Sequence, residues 1–280
     1  MKSLLKFGVL LFFIISNAYA RDNEPLVRGG YENWAQPSVV GLYFKVNGSY
    51  VGLCTGVLVA KRMVLTAAHC NKSSEAYVRF DILGSQGNQP RYVQIKSIRN
   101  YSNSTEYLGS DIAVAELSGD APDGVSPVTI VPPETVSNTS TQKIVGYGYD
   151  GKNKFGKKAE AFVEIWSADC TQKFKQGDAS VIYGCASKRE MIAGNMKTLA
   201  DSCPGDSGGP VFVSMSEGVS NWGLVAIVSR GLKNKNLICG KGGIYTLVGV
   251  YEEWLYGNFN IPKSKSKPLK KDTSSLDNVI

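Results

Sequence analysis

The sequence predicts an all-β fold that ends in one helix, and three observations carry that prediction. Short runs rich in Val, Ile, Tyr and Phe recur along the 280 residues. Gly, Asn and Pro turn signals separate them. Helical spacing is clear only near the C-terminus.

Taken in order, the elements begin with Gly41–Val46, an Asn47-Gly48 hairpin signal and a returning run, Tyr50–Leu53. Further strands are expected at Gly56–Ala60, Met63–Thr66, Tyr92–Ile98, Ile112–Leu117 and Lys143–Tyr149. Ala161–Ile165, Pro210–Ser214, Gly223–Ser229 and Gly243–Thr246 continue the series. The helix spans Leu247–Phe259, with Val250, Trp254 and Leu255 on its apolar face.

The ends read differently from the body. Residues 1–20 combine Lys2 and Lys6, an apolar run from Phe7 to Ile15 and a small-residue cleavage signal at Ala18–Ala20, the layout of a secretory signal peptide. That run falls well short of the roughly 20 residues a bilayer core demands, so no stable membrane anchor is expected. Residues 21–26 would form a short propeptide, 27–260 the main domain and 261–280 a basic, disordered tail. The signal and the tail account for +5 of the formal net charge of +7, leaving a nearly neutral body without the basic stripe that nucleic acid requires. Six cysteines in an exported chain suggest three disulfides, with the pairing left open by the sequence itself. There is one histidine and no Cys-x-x-Cys, so neither a metal nor a cofactor is expected.

Three segments carry chemistry: Leu65-Thr-Ala-Ala-His69-Cys70, Ser110-Asp111-Ile-Ala-Val114, and Asp201-Ser-Cys-Pro-Gly205-Asp206-Ser207-Gly208-Gly209-Pro210. Ser207 is a weak nucleophile unless an imidazole takes its proton, and His69 is the sole candidate. A carboxylate such as Asp111 would fix the imidazole tautomer and stabilise the imidazolium. The glycines permit a tight turn in which the N–H groups of Gly205 and Ser207 converge on an oxyanion. Gly205-x-Ser207-x-Gly209 also fits the nucleophile elbow of α/β-hydrolases, but there the histidine follows the serine, and none does here.

In composition, order and spacing these motifs resemble those of the trypsin/chymotrypsin-type serine proteases, over roughly Val27–Phe259. The resemblance implies two six-stranded antiparallel β-barrels with the active site between them and a C-terminal helix. It implies a monomeric endopeptidase acting on protein or peptide substrates, subject to an activating protease and to protein inhibitors. It pairs Cys54 with Cys70, Cys170 with Cys185 and Cys203 with Cys239. Ser229 takes the place of the serine that bonds the triad carboxylate. Asp201 takes the floor of the primary pocket, with Gly231 and Gly243 as small walls, which favours cleavage after Arg or Lys.

Two departures stand out. The mature start of the family is matched most nearly by Val27-Arg28-Gly29-Gly30, preceded by Leu26, so a freed Val27 amino group would pair with Asp206 after a cut that is not tryptic. Arg230 stands where the family usually has tryptophan beside the substrate, and a cation there implies a preference for acidic residues upstream of the cut.

Overall fold

A two-residue hairpin needs positive φ at both central positions. Asn47 and Gly48 supply it at 50° and 82°. This turn joins Val39–Val46 to Ser49–Ala60, with Val46 opposite Ser49. The expected strands Tyr50–Leu53 and Gly56–Ala60 are thus one strand. A register shift opposite Leu42 and Tyr43 leaves Leu53 as an extra residue that bends it.

The computed structural model describes Val27 and residues 30–32, 35–84, 87–103, 108–138, 140–148, 155–215, 221–232 and 239–263. The proposed signal peptide, propeptide and nearly all of the tail lie outside them. Val39–Val46, Ser49–Ala60, Met63–Thr66, Ala113–Leu117, Gly87–Asn100 and Ala76–Gly84 close into an antiparallel barrel in that order. A second barrel runs Ala159–Ser167, Glu190–Gly194, Gly243–Leu247, Trp222–Gly231, Pro210–Ser214 and Thr141–Gly146, closed by pairing of the first and last. The architecture is the all-β fold expected from the strand pattern, in the two-barrel form that the resemblance implies. Tyr31–Glu32 adds to the second barrel along Ala159 and Glu160.

Each barrel fills with its own apolar side chains, and a third cluster occupies the seam. It joins Val57, Leu65 and Ile112 of the first barrel to Tyr147, Phe212 and Ile227 of the second, with Tyr251 and Leu255 from the C-terminal segment. That segment is a 3₁₀ turn, Val248–Tyr251, leading into an α-helix, Glu252–Asn258. The tighter turn shifts the phase of the apolar stripe. The buried face is therefore Val248, Tyr251 and Leu255, whereas the expected Val250 is 39% exposed.

Two barrel strands escaped the sequence reading, as did the two-residue strands Tyr31–Glu32, Thr129–Ile130, Lys173–Phe174 and Gly177–Asp178. Ala76–Gly84 buries Ala76, Val78 and Phe80 but interposes Arg79 and Asp81, which bond each other at 2.9 Å. Glu190–Gly194 is buried throughout and starts on a carboxylate, so it shows no alternation. Among the described residues no helix is long and apolar enough to cross a membrane.

Leu255 is fully buried in the seam. Leu255→Ala is expected to lower unfolding free energy by about 2–5 kcal/mol, measured by urea denaturation.

Candidate active site

Met63–Thr66 ends at the seam, and the 3₁₀ turn Ala68–Cys70 that follows lifts His69 to its edge. The His69 N–H donates to Asp111 Oδ1 at 3.0 Å, and its Nδ1 lies 2.8 Å from Asp111 Oδ2. Asp111 precedes the buried strand Ala113–Leu117 and is 2% exposed. Ser229 donates its hydroxyl proton to Asp111 Oδ2 at 2.7 Å. Burial pushes the Asp111 carboxyl up, but the hydrogen bonds from His69 and Ser229 outweigh it and hold the group below its ordinary value.

The turn carrying Ser207 belongs to the second barrel yet is fastened to the first. Thr55 N–H donates to the Ser207 carbonyl at 2.8 Å. The Thr55 hydroxyl donates to the Gly205 carbonyl at 2.9 Å and accepts from Tyr147 N–H at 3.0 Å. Gly205 and Gly208 take φ of 97° and 81°, and a Cβ on Gly208 would strike Thr66 and the Thr55 carbonyl. The disulfide Cys54–Cys70 lies alongside, with Cys70 Sγ 3.7 Å from the Ser207 carbonyl oxygen. Cys170–Cys185 and Cys203–Cys239 complete the pairing that the resemblance implied.

His69, Cys54 and Cys70 offer ligand atoms within 4.8 Å of one another. Both sulfurs are consumed in the disulfide, so this donor set has no thiolate to give a metal.

Asp201 and Asp206 are buried without a cationic partner among the described residues. Asp201 Oδ1 accepts from Ser202 N–H at 2.8 Å. Its Oδ2 accepts from the N–H groups of Gly240, Lys241 and Gly242 at 2.8, 3.1 and 3.0 Å. Positive φ at Gly240 and Gly242 lets this short segment turn its amides inward. Burial pushes the Asp201 carboxyl up against the pull of those donors. Asp206 Oδ1 accepts from Gly148 N–H at 2.7 Å and Oδ2 from Cys203 N–H at 2.8 Å. Its carboxylate lies so close to Gly146 and Gly148 that neither could carry a Cβ. Burial pushes Asp206 up to about 7. Val27 is packed inside the second barrel, with its carbonyl accepting from Gly30 N–H.

A cleft of about 1090 Å³ has His69, Asp111, Ser229, Arg230, Gly231, Leu108, Ile182 and Tyr183 in its lining. A Cβ on Gly231 would meet nothing within 4 Å, whereas one on Gly243 would press on Ser202 and Tyr245. Gly231 is thus an open wall, and Gly243 backs the Asp201 segment. Arg230 has a partner that the sequence did not show. Its guanidinium forms a bidentate pair with buried Glu190, Nη1 to Oε1 at 2.7 Å and Nη2 to Oε2 at 2.9 Å. The charge of the guanidinium is thus matched by a carboxylate within the fold.

The family model described as Trypsin matches residues 29–255. The chain belongs to the trypsin family. This trypsin-family chain is 27% identical to anionic trypsin of Canis lupus familiaris over 88% of its own length and 95% of that protein. It is 26% identical to serine protease Hayan of Drosophila melanogaster over 84% of the chain but 38% of that longer protein. Among solved structures, neuropsin, a serine protease expressed in the limbic system of mouse brain, superposes with a TM-score of 0.62 at 29% identity, covering 81% and 97% of the two chains.

Within this trypsin-family site the sequence reading missed Thr55 and Glu190. The adjacency of Thr55 to Cys54 was a signal available in principle. Glu190 showed only as the last of three successive charged residues, Lys188-Arg189-Glu190.

The folded-state value of Asp206, about 7, stands above the ordinary aspartate value near 3.9. The folded chain therefore holds a proton that the unfolded chain has released, and this group makes stability fall as pH rises from about 4 to about 7. Urea midpoints of the full chain measured across that window are expected to decline more steeply in wild type than in Asp206→Asn.

Proposed function

We propose that this trypsin-family protein is a secreted serine endopeptidase that cleaves after Arg or Lys through Ser207, His69 and Asp111. The observation that carries the reading is the His69–Asp111 pair, 2.8 Å apart, on the barrel to which Thr55 fastens the Gly205–Ser207 turn.

In this mechanism Ser207 Oγ attacks the scissile carbonyl carbon while His69 takes the hydroxyl proton. Asp111 fixes the tautomer and stabilises the imidazolium. Negative charge gathers on the carbonyl oxygen, where the N–H groups of Gly205 and Ser207 receive it, each worth about 3–4 kcal/mol. His69 then protonates the departing amine, leaving an acyl-enzyme on Ser207. Water attacks that ester with His69 again as base, which releases the acid and restores the hydroxyl.

Asp201 supports the choice of Arg or Lys. Its carboxylate is buried and, among the described residues, its donors are all neutral and Oδ1 has a single N–H partner, so a cationic side chain would supply the missing counter-charge. Asp206 awaits a cation in the same sense. Cleavage after Leu26 would free a Val27 ammonium, and the burial of Val27 in the second barrel favours that anchor over Gly29. Residues 1–20 act as the export signal and 21–26 as the propeptide in this reading, with a monomeric product open to protein inhibitors.

A fluorophosphonate probe is expected to label the processed protein and to fail on Ser207→Ala, with amidase activity falling on the order of 10⁶-fold. Absence of labelling in processed wild type would instead assign the chain to a non-catalytic binding or regulatory role. Asp201→Ser is expected to lower kcat/KM for Arg and Lys substrates by at least about 10²-fold while retaining probe labelling.

A further inference from the structure

Glu190 is fully buried, and four donors converge on its carboxylate. Oε1 accepts from Gly109 N–H at 3.0 Å and from Arg230 Nη1 at 2.7 Å. Oε2 accepts from Ala186 N–H at 2.8 Å and from Arg230 Nη2 at 2.9 Å. Gly109 is two residues before Asp111 and on the opposite barrel from Glu190, so this carboxylate crosses the seam behind Asp111. Arg230 in turn reaches the Gly184 carbonyl through Nη2 at 3.0 Å and the Ser229 hydroxyl through Nη1 at 3.3 Å. The Ser229 proton is directed to Asp111 Oδ2, which leaves the Ser229 oxygen to accept from Arg230.

We propose that the Glu190–Arg230 pair positions the Asp111 carboxylate from behind, holding it through Gly109 on one side and Ser229 on the other while adding no net charge beside the imidazole. Neither residue touches the reacting atoms, so both act as positioning residues. The inference rests on the proposed roles of His69 and Asp111. The other ionisable groups around this part of the cleft are Lys241 and Tyr183 on its wall, Tyr251, whose hydroxyl donates to the Gly109 carbonyl, and Arg189 and Tyr101 beside Tyr251. All of these stay unchanged in the variants below.

Cutting the pair from either end has opposite electrostatic consequences. Glu190→Gln leaves the guanidinium uncompensated near His69, which disfavours the imidazolium. Arg230→Met leaves the buried carboxylate without its counter-charge, held by the N–H groups of Gly109 and Ala186, which favours the imidazolium. The experiment is the pH dependence of kcat/KM for a peptide amide cleaved by the processed full-length protein. The acidic limb is expected to move to lower pH in Glu190→Gln and to higher pH in Arg230→Met, by roughly half a unit or more in each case. In the doubly neutral E190Q/R230M variant it returns to the wild-type position. If Arg230→Met fails to fold, Arg230→Lys takes its place: it keeps the charge but loses the fork, so kcat falls while the limb stays put. Glu190→Gln and Arg230→Met moving the limb in the same direction or leaving it in place, or Arg230→Lys keeping the wild-type kcat, would overturn the proposal. A wild-type protein without amidase activity or probe labelling would defeat the functional reading instead, so the two failures are distinguishable.

Discussion

Thr55 is the point on which the geometry of the site depends. It lies in the first barrel, yet its N–H holds the Ser207 carbonyl and its hydroxyl bridges the Gly205 carbonyl and the Tyr147 N–H of the second. The Thr55 carbonyl is itself held by the Thr66 hydroxyl at 2.8 Å, at the end of the strand that leads to His69. One residue therefore sets the register of the Ser207 turn against the His69 turn. Two barrels that merely packed through apolar side chains could slide, because such contacts lack direction. Directional bonds from a buried threonine remove that freedom.

Four of the buried carboxylates are satisfied in three different ways. Asp111 has an imidazole and a hydroxyl, Glu190 a guanidinium and two amides, Asp201 and Asp206 amides alone. Burial of an anion among neutral donors is costly, and it is tolerated where a cation arrives later. The two amide-bound carboxylates are the two for which the proposed function supplies an incoming cation, a substrate side chain at one and a new chain terminus at the other. Pairs completed within the chain lie instead behind the reacting groups.

What the sequence disclosed divides along the same line between local and distant causes. Met63–Thr66 and Pro210–Ser214 match their expected limits because turn signals bracket a short apolar run. The Asn47-Gly48 turn was legible because its backbone requirement is local. Glu190–Gly194 was not, since the burial of its leading carboxylate depends on a guanidinium forty residues away. Arg230 likewise showed in the sequence as a charge without its partner Glu190. His69, Asp111 and Ser207 were readable as residue types in an order, and folding brings their segments to one seam. The Thr55 bridge has no counterpart in any local pattern.

The C-terminal segment has a consequence for the order of synthesis. Tyr251 bonds the Gly109 carbonyl and Leu255 fills the seam, so the stretch leading to Asp111 is braced by residues made more than a hundred positions later. A ribosome delivers His69 and Asp111 long before their brace. An emerging chain therefore carries the first barrel while its share of the seam is still unfilled.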